Sequence, residues 1–201
     1  MKFLTLIAPA LLLTQFAMGQ AKVADGAYKI DKTHSKVGFE ISHLVVSTVD
    51  GKFKDFDGMI TIDSKLEKSK VEINIKAASI DTAEADRDKH LIGPDFFDTA
   101  KFDKLTFKSK KVSGTPEALK VEGDLTIHGV TKPVTLDAKY TGAVKDPWGN
   151  ERIAFKATTK VNRQDFGLKW SKAVELGPVV GDEVTIDIKV EAIKEKAGAK
   201  K

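Results

Sequence analysis

Between turn signals this chain alternates apolar and polar residues with period two. Val37, Phe39 and Ile41 form one set, Ile60 and Ile62 the next, and Val71, Ile73 and Ile75 a third, spaced by polar neighbours such as Glu72 and Asn74. Leu105 and Phe107 continue the pattern, and longer segments follow: Val121, Leu125 and Ile127; Val134, Leu136, Ala138 and Tyr140; Ile153, Phe155, Ala157 and Val161; Val184, Ile186, Ile188 and Val190. A period of two puts every second side chain on one face, the signature of a strand with one buried and one wet side. Eight strands are counted. Their links carry turn chemistry: Asp50-Gly51 with Asp57-Gly58, Ser113-Gly114-Thr115-Pro116, His128-Gly129, and Asp146-Pro147-Trp148-Gly149-Asn150. Short links make an antiparallel meander. Eight one-sided strands in up-and-down order can hide their apolar faces in a sandwich or a closed barrel, and closure alone removes the exposed edges.

Two connections are longer. Residues 79–103 offer Asp81 as an N-cap with Glu84 three positions on, a helix through Arg87, Asp88, Lys89 and His90, a break at Gly93-Pro94, and a second turn carrying Phe96 and Phe97. On that helix Asp86 can reach His90 at i, i+4. Residues 162–182 hold Arg163, Asp165, Phe166, Trp170 and Pro178.

The N-terminus changes the picture. Lys2, the apolar run Phe3 to Leu13 and Ala17-Met18-Gly19 read as a secretory signal peptide over 1–21, cleaved after Gly19 or Ala21. The apolar run is too short for a spanning helix, and no second one follows, so no integral membrane segment is expected in the mature chain. Residues 22–194 read as a single domain and 195–201 as a disordered basic tail. The expected location is periplasmic or secreted. Cysteine is absent, which removes a lipidated anchor, a thiol nucleophile and any disulfide frame. The net charge of +4 is interspersed with acidic residues, which argues against a nucleic-acid groove.

Candidate chemistry is thin. The four histidines, His34, His43, His90 and His128, show no zincin spacing, and His34 and His43 are an odd number of residues apart, on opposite faces of one strand unless a bulge intervenes. No metal is expected. Gly-x-Ser-x-Gly and the phosphate-binding glycine loops are missing, so no cofactor is implied. Asp88 and His90 are the best acid/base candidates, although helix residues two apart do not face each other. Phe96, Phe97, Phe102 and Phe107 either cap the core or line an entrance.

"YKIDKTHSKVGFEISHL", "GKFKDFDGMITID", "SIDTAEADRDKHLIGPDFFD", "LTFKSKKV", "VEGDLTIHGVTKPVTL" and "VNRQDFGLKW", in that order, resemble the YceI-like family of exported polyisoprenoid-binding proteins. The likeness covers about residues 26–193. It implies an all-β fold, a lipocalin-like eight-stranded antiparallel up-and-down barrel with a short helix between strands 3 and 4. It further implies an apolar tunnel for a long isoprenoid, quinone or similar lipid chain, and no defining enzymatic activity. Some members are described as dimers, so a homodimer is among the implied states. One departure is His128, where many relatives carry Arg, at a position that would matter if it met a ligand head group.

The expected lining is Val37, Phe39, Ile41, Ile60, Ile62, Val71, Ile73, Ile75, Phe107, Leu125, Phe155 and Ile186, with Phe96, Phe97 and Trp170 near an entrance. His34, Arg87, Asp88, His90, Arg163 and Asp165 are expected to form a polar framework pinning the helix and the long loop to the barrel. The alternative is an exported hydrolase or isomerase acting on such a lipid, with His90 and Asp88 as acid/base groups.

Overall fold

A computed structural model describes residues 24–174 and 177–196. The signal-peptide expectation, and residues 197–201 of the expected tail, lie outside the described residues. The described strands are β1 (Gly26–Ile30), β2 (Lys36–His43), β3 (Ser47–Phe53), β4 (Phe56–Ile62), β5 (Lys70–Lys76), β6 (Ile80–Asp81), β7 (Lys104–Thr115), β8 (Ala118–Ile127), β9 (Val130–Lys145), β10 (Glu151–Asn162), β11 (Ala173–Val174), β12 (Gly177–Pro178) and β13 (Val180–Lys194). One α-helix, α1 (Ala85–Ile92), lies between β6 and β7.

These strands assemble into eight staves. β1 and β2 are halves of the first, interrupted by the 3-10 turn Lys32–His34; β3 and β4 make the second, and β5 and β6, joined by the 3-10 turn Ala77–Ser79, make the third. β7, β8, β9, β10 and β13 are one stave each, every stave antiparallel to the next. β13 closes the ring, because its free edge pairs with both β1 and β2. The result is a closed eight-stave up-and-down barrel with no open edge between first and last stave.

The interruptions follow from the side-chain pattern. Inward residues sit at even numbers in β1 (Tyr28, Ile30) and at odd numbers in β2 (Val37), so the break shifts the parity and both halves keep their apolar side inside. Phe53 to Phe56 and Ile75 to Ile80 repeat the shift in the next two staves. Two backbone bonds join these latter breaks: Lys54 N to Ser79 O at 3.0 Å and Lys76 N to Asp55 O at 2.9 Å. The intervening break is also why spacing alone could not relate His34 to His43.

Two turn expectations need correction. Asp50-Gly51 and Asp57-Gly58 lie inside β3 and β4, and the hairpin between the first two staves turns at Leu44–Val46 instead. Gly51 faces Phe39 across the ladder, and a Cβ there would overlap the Phe39 ring, so this glycine makes room for an aromatic side chain. Helix α1 also starts later than expected. Glu84 is its N-cap, its carboxylate accepting from the Asp86 and Arg87 amides, while Asp81 accepts from Ala83 N one turn earlier.

Along the outer wall, cross-strand pairs such as Lys108–Glu72, Lys111–Glu122 and Lys160–Glu183 face water. Among the described residues no helix is long and apolar enough to cross a membrane. Glu195 N donates to Ala27 O at 2.8 Å, extending the closing pairing by one residue beyond β13.

Candidate functional site

The ends of the barrel are built differently. One is packed solid by Tyr28, Ile60, Tyr140, Ile153 and Ala192, with exposures from 0 to 6%. Tyr28 donates from its hydroxyl to Ala24 O at 2.7 Å. Burial raises the pKa of both tyrosines, so they stay neutral. Beside them Arg152 binds three carboxylates: Nε donates to Asp146 Oδ2 at 2.8 Å, and Nη1 donates to Asp31 Oδ2 at 2.9 Å and Glu191 Oε1 at 2.5 Å. Burial opposes the charged form of Asp31, yet the bonds from Thr33, His34 and Arg152 outweigh it and hold the carboxyl well below the usual range. Asp146 is depressed chiefly by Arg152, and Asp146 in turn raises the guanidinium most.

At the other end, α1 and the segment after β10 lie across the barrel. Thr82, itself buried, fixes the helix: it accepts from Arg87 Nε at Oγ1 (2.7 Å) and from Arg87 Nη2 at its carbonyl (2.8 Å). Its amide and hydroxyl donate to Asp88 Oδ1 at 2.8 and 2.6 Å. Arg163, 4% exposed, fixes the loop: Nε donates to Gly181 O, Nη1 to Leu168 O and Trp170 O, and Nη2 to Asp182 Oδ1. Burial pulls the pKa of this guanidinium down, opposed by Asp182.

Between these ends lies an apolar cavity of about 380 Å³. It is bordered by Val37, Phe39, Ile41, Ile60, Ile62, Val71, Ile73, Ile75, Phe107, Leu125, Phe155 and Ile186, and near α1 by Phe96, Phe97 and Trp170, the whole apolar set named from the sequence. Ile30, Phe53, Phe56 and Ile80 also border it and were missed because strand breaks interrupt the period around them, and Val49 because Asp50-Gly51 beside it reads as a turn. Rings line the way in. Phe39 packs on Phe53 and Phe53 on Phe97, with centroids 6.0 and 5.9 Å apart, while His90, Phe96 and Trp170 stand 5.1 to 5.4 Å from one another. At the helix end the lining reaches the exposed His90 and half-buried Trp170, and at the other it stops at Ile62, Leu66, Ser69 and Lys70.

The expected polar framework divides. Arg87, Asp88, His90 and Arg163 gather at the helix end, with Asp165 exposed on the turn Arg163–Phe166. His34 does not join them: its Nδ1 sits 2.8 Å from Asp31 Oδ2, in the break between β1 and β2. His90 pairs through Nε2 with Asp95 at 3.0 Å rather than with Asp86, because the turn after Gly93 brings Asp95 back within reach of that nitrogen. Asp88 serves Thr82, so the two acid/base candidates are each engaged elsewhere. His128 packs against Phe102, centroids 4.4 Å apart, and does not border the cavity.

Asp31, His34 and Glu191 place their donor atoms within 4.8 Å of one another, a spacing a metal could use. Arg152 already bonds both carboxylates of the three, so the protein's own cation fills that role.

A closed antiparallel barrel around an apolar cavity, one end sealed and the other covered by a short helix and a loop, defines a binding fold. The YceI-like domain model matches residues 28–192, and the chain belongs to the YceI-like family. It is 46% identical over 184 residues to the protein YceI of Escherichia coli O157:H7, covering 90% of this chain and 93% of that one. The crystal structure of the Campylobacter jejuni YCEI protein is similar at 37% identity, TM-score 0.67, covering 83% of this chain and 96% of that one. A polyisoprenoid binding domain from Saccharophagus degradans shares the fold at 16% identity and TM-score 0.64, over 84% and 98% of the two chains.

Proposed function

We propose that the chain is an exported carrier or reservoir, without catalytic activity, that holds a long apolar chain of isoprenoid or quinone type in the barrel. The observation that carries this reading is the cavity. At about 380 Å³ it falls within the usual range for small-molecule sites, about 300–1,000 Å³, and nearly all of its lining is hydrocarbon. A methylene fills roughly a water's share of volume, ~30 Å³, so on the order of a dozen carbons are enclosed. Burying them at about 0.8 kcal/mol each gives a gross gain near 10 kcal/mol before ordering and association costs. Hydrophobic burial suffices for binding, and no polar fingerprint is required. A longer chain leaves its remainder at the helix end, where Arg87, His90 and Trp170 border the cavity. There the Arg87 guanidinium, held by Thr82 through Nε and Nη2, is placed to meet an oxygen-bearing head group. The family membership supports the same reading, as does the Saccharophagus domain of the same fold, which binds polyisoprenoids. Its test is native mass spectrometry and solvent extraction of protein prepared without detergent. One prenyl-type chain per polypeptide is expected; the bare polypeptide mass alone, with an empty extract, overturns the proposal.

A further inference from the structure

At the helix end of the barrel the sequence breaks a local rule. Residues 41–49, Ile-Ser-His-Leu-Val-Val-Ser-Thr-Val, contain no Asp, Glu, Lys or Arg, the longest such run among the described residues of a chain that is 31% charged. Their hairpin turns at Leu44, Val45 and Val46, where Gly, Asn or Asp would be the ordinary choice. Leu44 and Val45 both adopt positive φ, 52° and 65°. For a β-branched residue this is a strained conformation, which persists only where something else holds it. The apolar side chains do not go inward in return: Val45 is 59% and Val46 76% exposed. Burial therefore does not explain them.

The tip belongs to the cavity's rim. His43 borders the cavity and pairs with Val180, and Leu44 N donates to Val179 O at 2.9 Å. That second strip, residues 177–181, is also uncharged, and Val174, 47% exposed, lies just before it. The margin is basic. Lys169 and Lys172 are exposed, and neither forms an ion pair among the described residues; Lys172 Nζ lies 5.8 Å from the Trp170 ring. Of the acids on this side, Asp182 is engaged by Arg163, Glu183 by Lys160 and Asp95 by His90, while Asp165 stands exposed on the turn before Lys169.

From this we infer that the Leu44–Val46 tip, with Val174, Lys169 and Lys172, is a docking surface for an anionic lipid bilayer. The exposed valines enter the interface and the lysines meet lipid phosphates. The inference rests on the carrier reading and adds to it, since it places the cavity's rim where a lipid chain could pass between bilayer and barrel without crossing water.

Flotation with vesicles of phosphatidylethanolamine and phosphatidylglycerol tests it. The wild type is expected to float with these vesicles and to be released by high salt. Val46→Glu should weaken binding about tenfold or more, the worth of one buried valine, and Lys169→Glu with Lys172→Glu should abolish the salt dependence. Trp148→Glu, at the opposite end, should float as wild type. Val45→Asn separates strain from function: asparagine tolerates positive φ, so its Tm should rise while its vesicle binding falls. Wild type that stays with the aqueous fraction, or a Val46→Glu variant that floats unchanged, overturns the docking surface. Extracting the same preparations tells the two failures apart, because a bound chain in protein that does not float leaves the carrier reading standing.

Discussion

The barrel's two ends are made from the same strands by opposite means. The sealed end joins Tyr28, Tyr140, Ile153 and Ala192 in close packing and ties three carboxylates to Arg152, one of which also holds the His34 imidazole. The helix end is held by two arginines bonded largely to backbone carbonyls and a threonine, over half-buried aromatic rings and a cavity. The difference teaches where stability and function reside. Side chains at the sealed end have partners on every side, whereas those around the cavity face empty space and have less packing to lose.

Substitutions should rank accordingly. Tyr28→Ala is expected to cost about 3–5 kcal/mol, the range for removing a fully buried aromatic side chain, read by urea unfolding. A loss under 1 kcal/mol would mean that this end is not the barrel's anchor. Arg163→Ala leaves the carbonyls of Leu168, Trp170 and Gly181 without their donor and should cost about 3 kcal/mol. Arg163→Lys should recover little, because an ammonium cannot span those acceptors. Hydrogen exchange should quicken in residues 168–182 while β7 to β9 stay protected.

Acid should act first on the sealed end. Asp31 and Asp146 lie below their unfolded values, so the stability they contribute is fully present above about pH 4 and lost as pH falls through their folded values. Asp146→Asn should lower Tm at pH 7 and flatten its decline below pH 4, measured by calorimetry across pH. An unchanged acid limb would remove the network from the account. The smallest effect on stability belongs to the cavity. Ala157→Phe projects into existing space, so it should change stability by less than about 1 kcal/mol, against the 1–3 kcal/mol typical of overpacking a filled core. Its bound chain should nevertheless be lost on extraction.

Much of this was legible in the pattern of apolar positions. Val71, Ile73 and Ile75 show their inward face directly, and the helix between the third and fourth staves announces itself through Glu84 and Gly93-Pro94. The breaks were not legible, because a parity shift looks like two unrelated strands. Phe53 and Phe56 were hidden for that reason, and Gly51 passed for a turn because its role, space for Phe39, depends on a partner strand. Arg152 went unnoticed because its three carboxylates are distant in sequence, and Arg87, Asp88 and His90 were found through one short stretch that stays together in space. His34 was misplaced because nothing local reveals which end of the barrel a strand break occupies.

The hollow interior can be read directly through Trp170. The chain has two tryptophans; Trp148 is 81% exposed at the sealed end, and Trp148→Phe leaves Trp170, at the cavity's entrance, as the sole reporter. Farnesol titrated into extracted protein should shift that fluorescence to the blue and raise Tm, both saturating at one molecule per chain. A fluorescence spectrum and a Tm that stay fixed throughout would contradict a barrel built to hold an apolar chain.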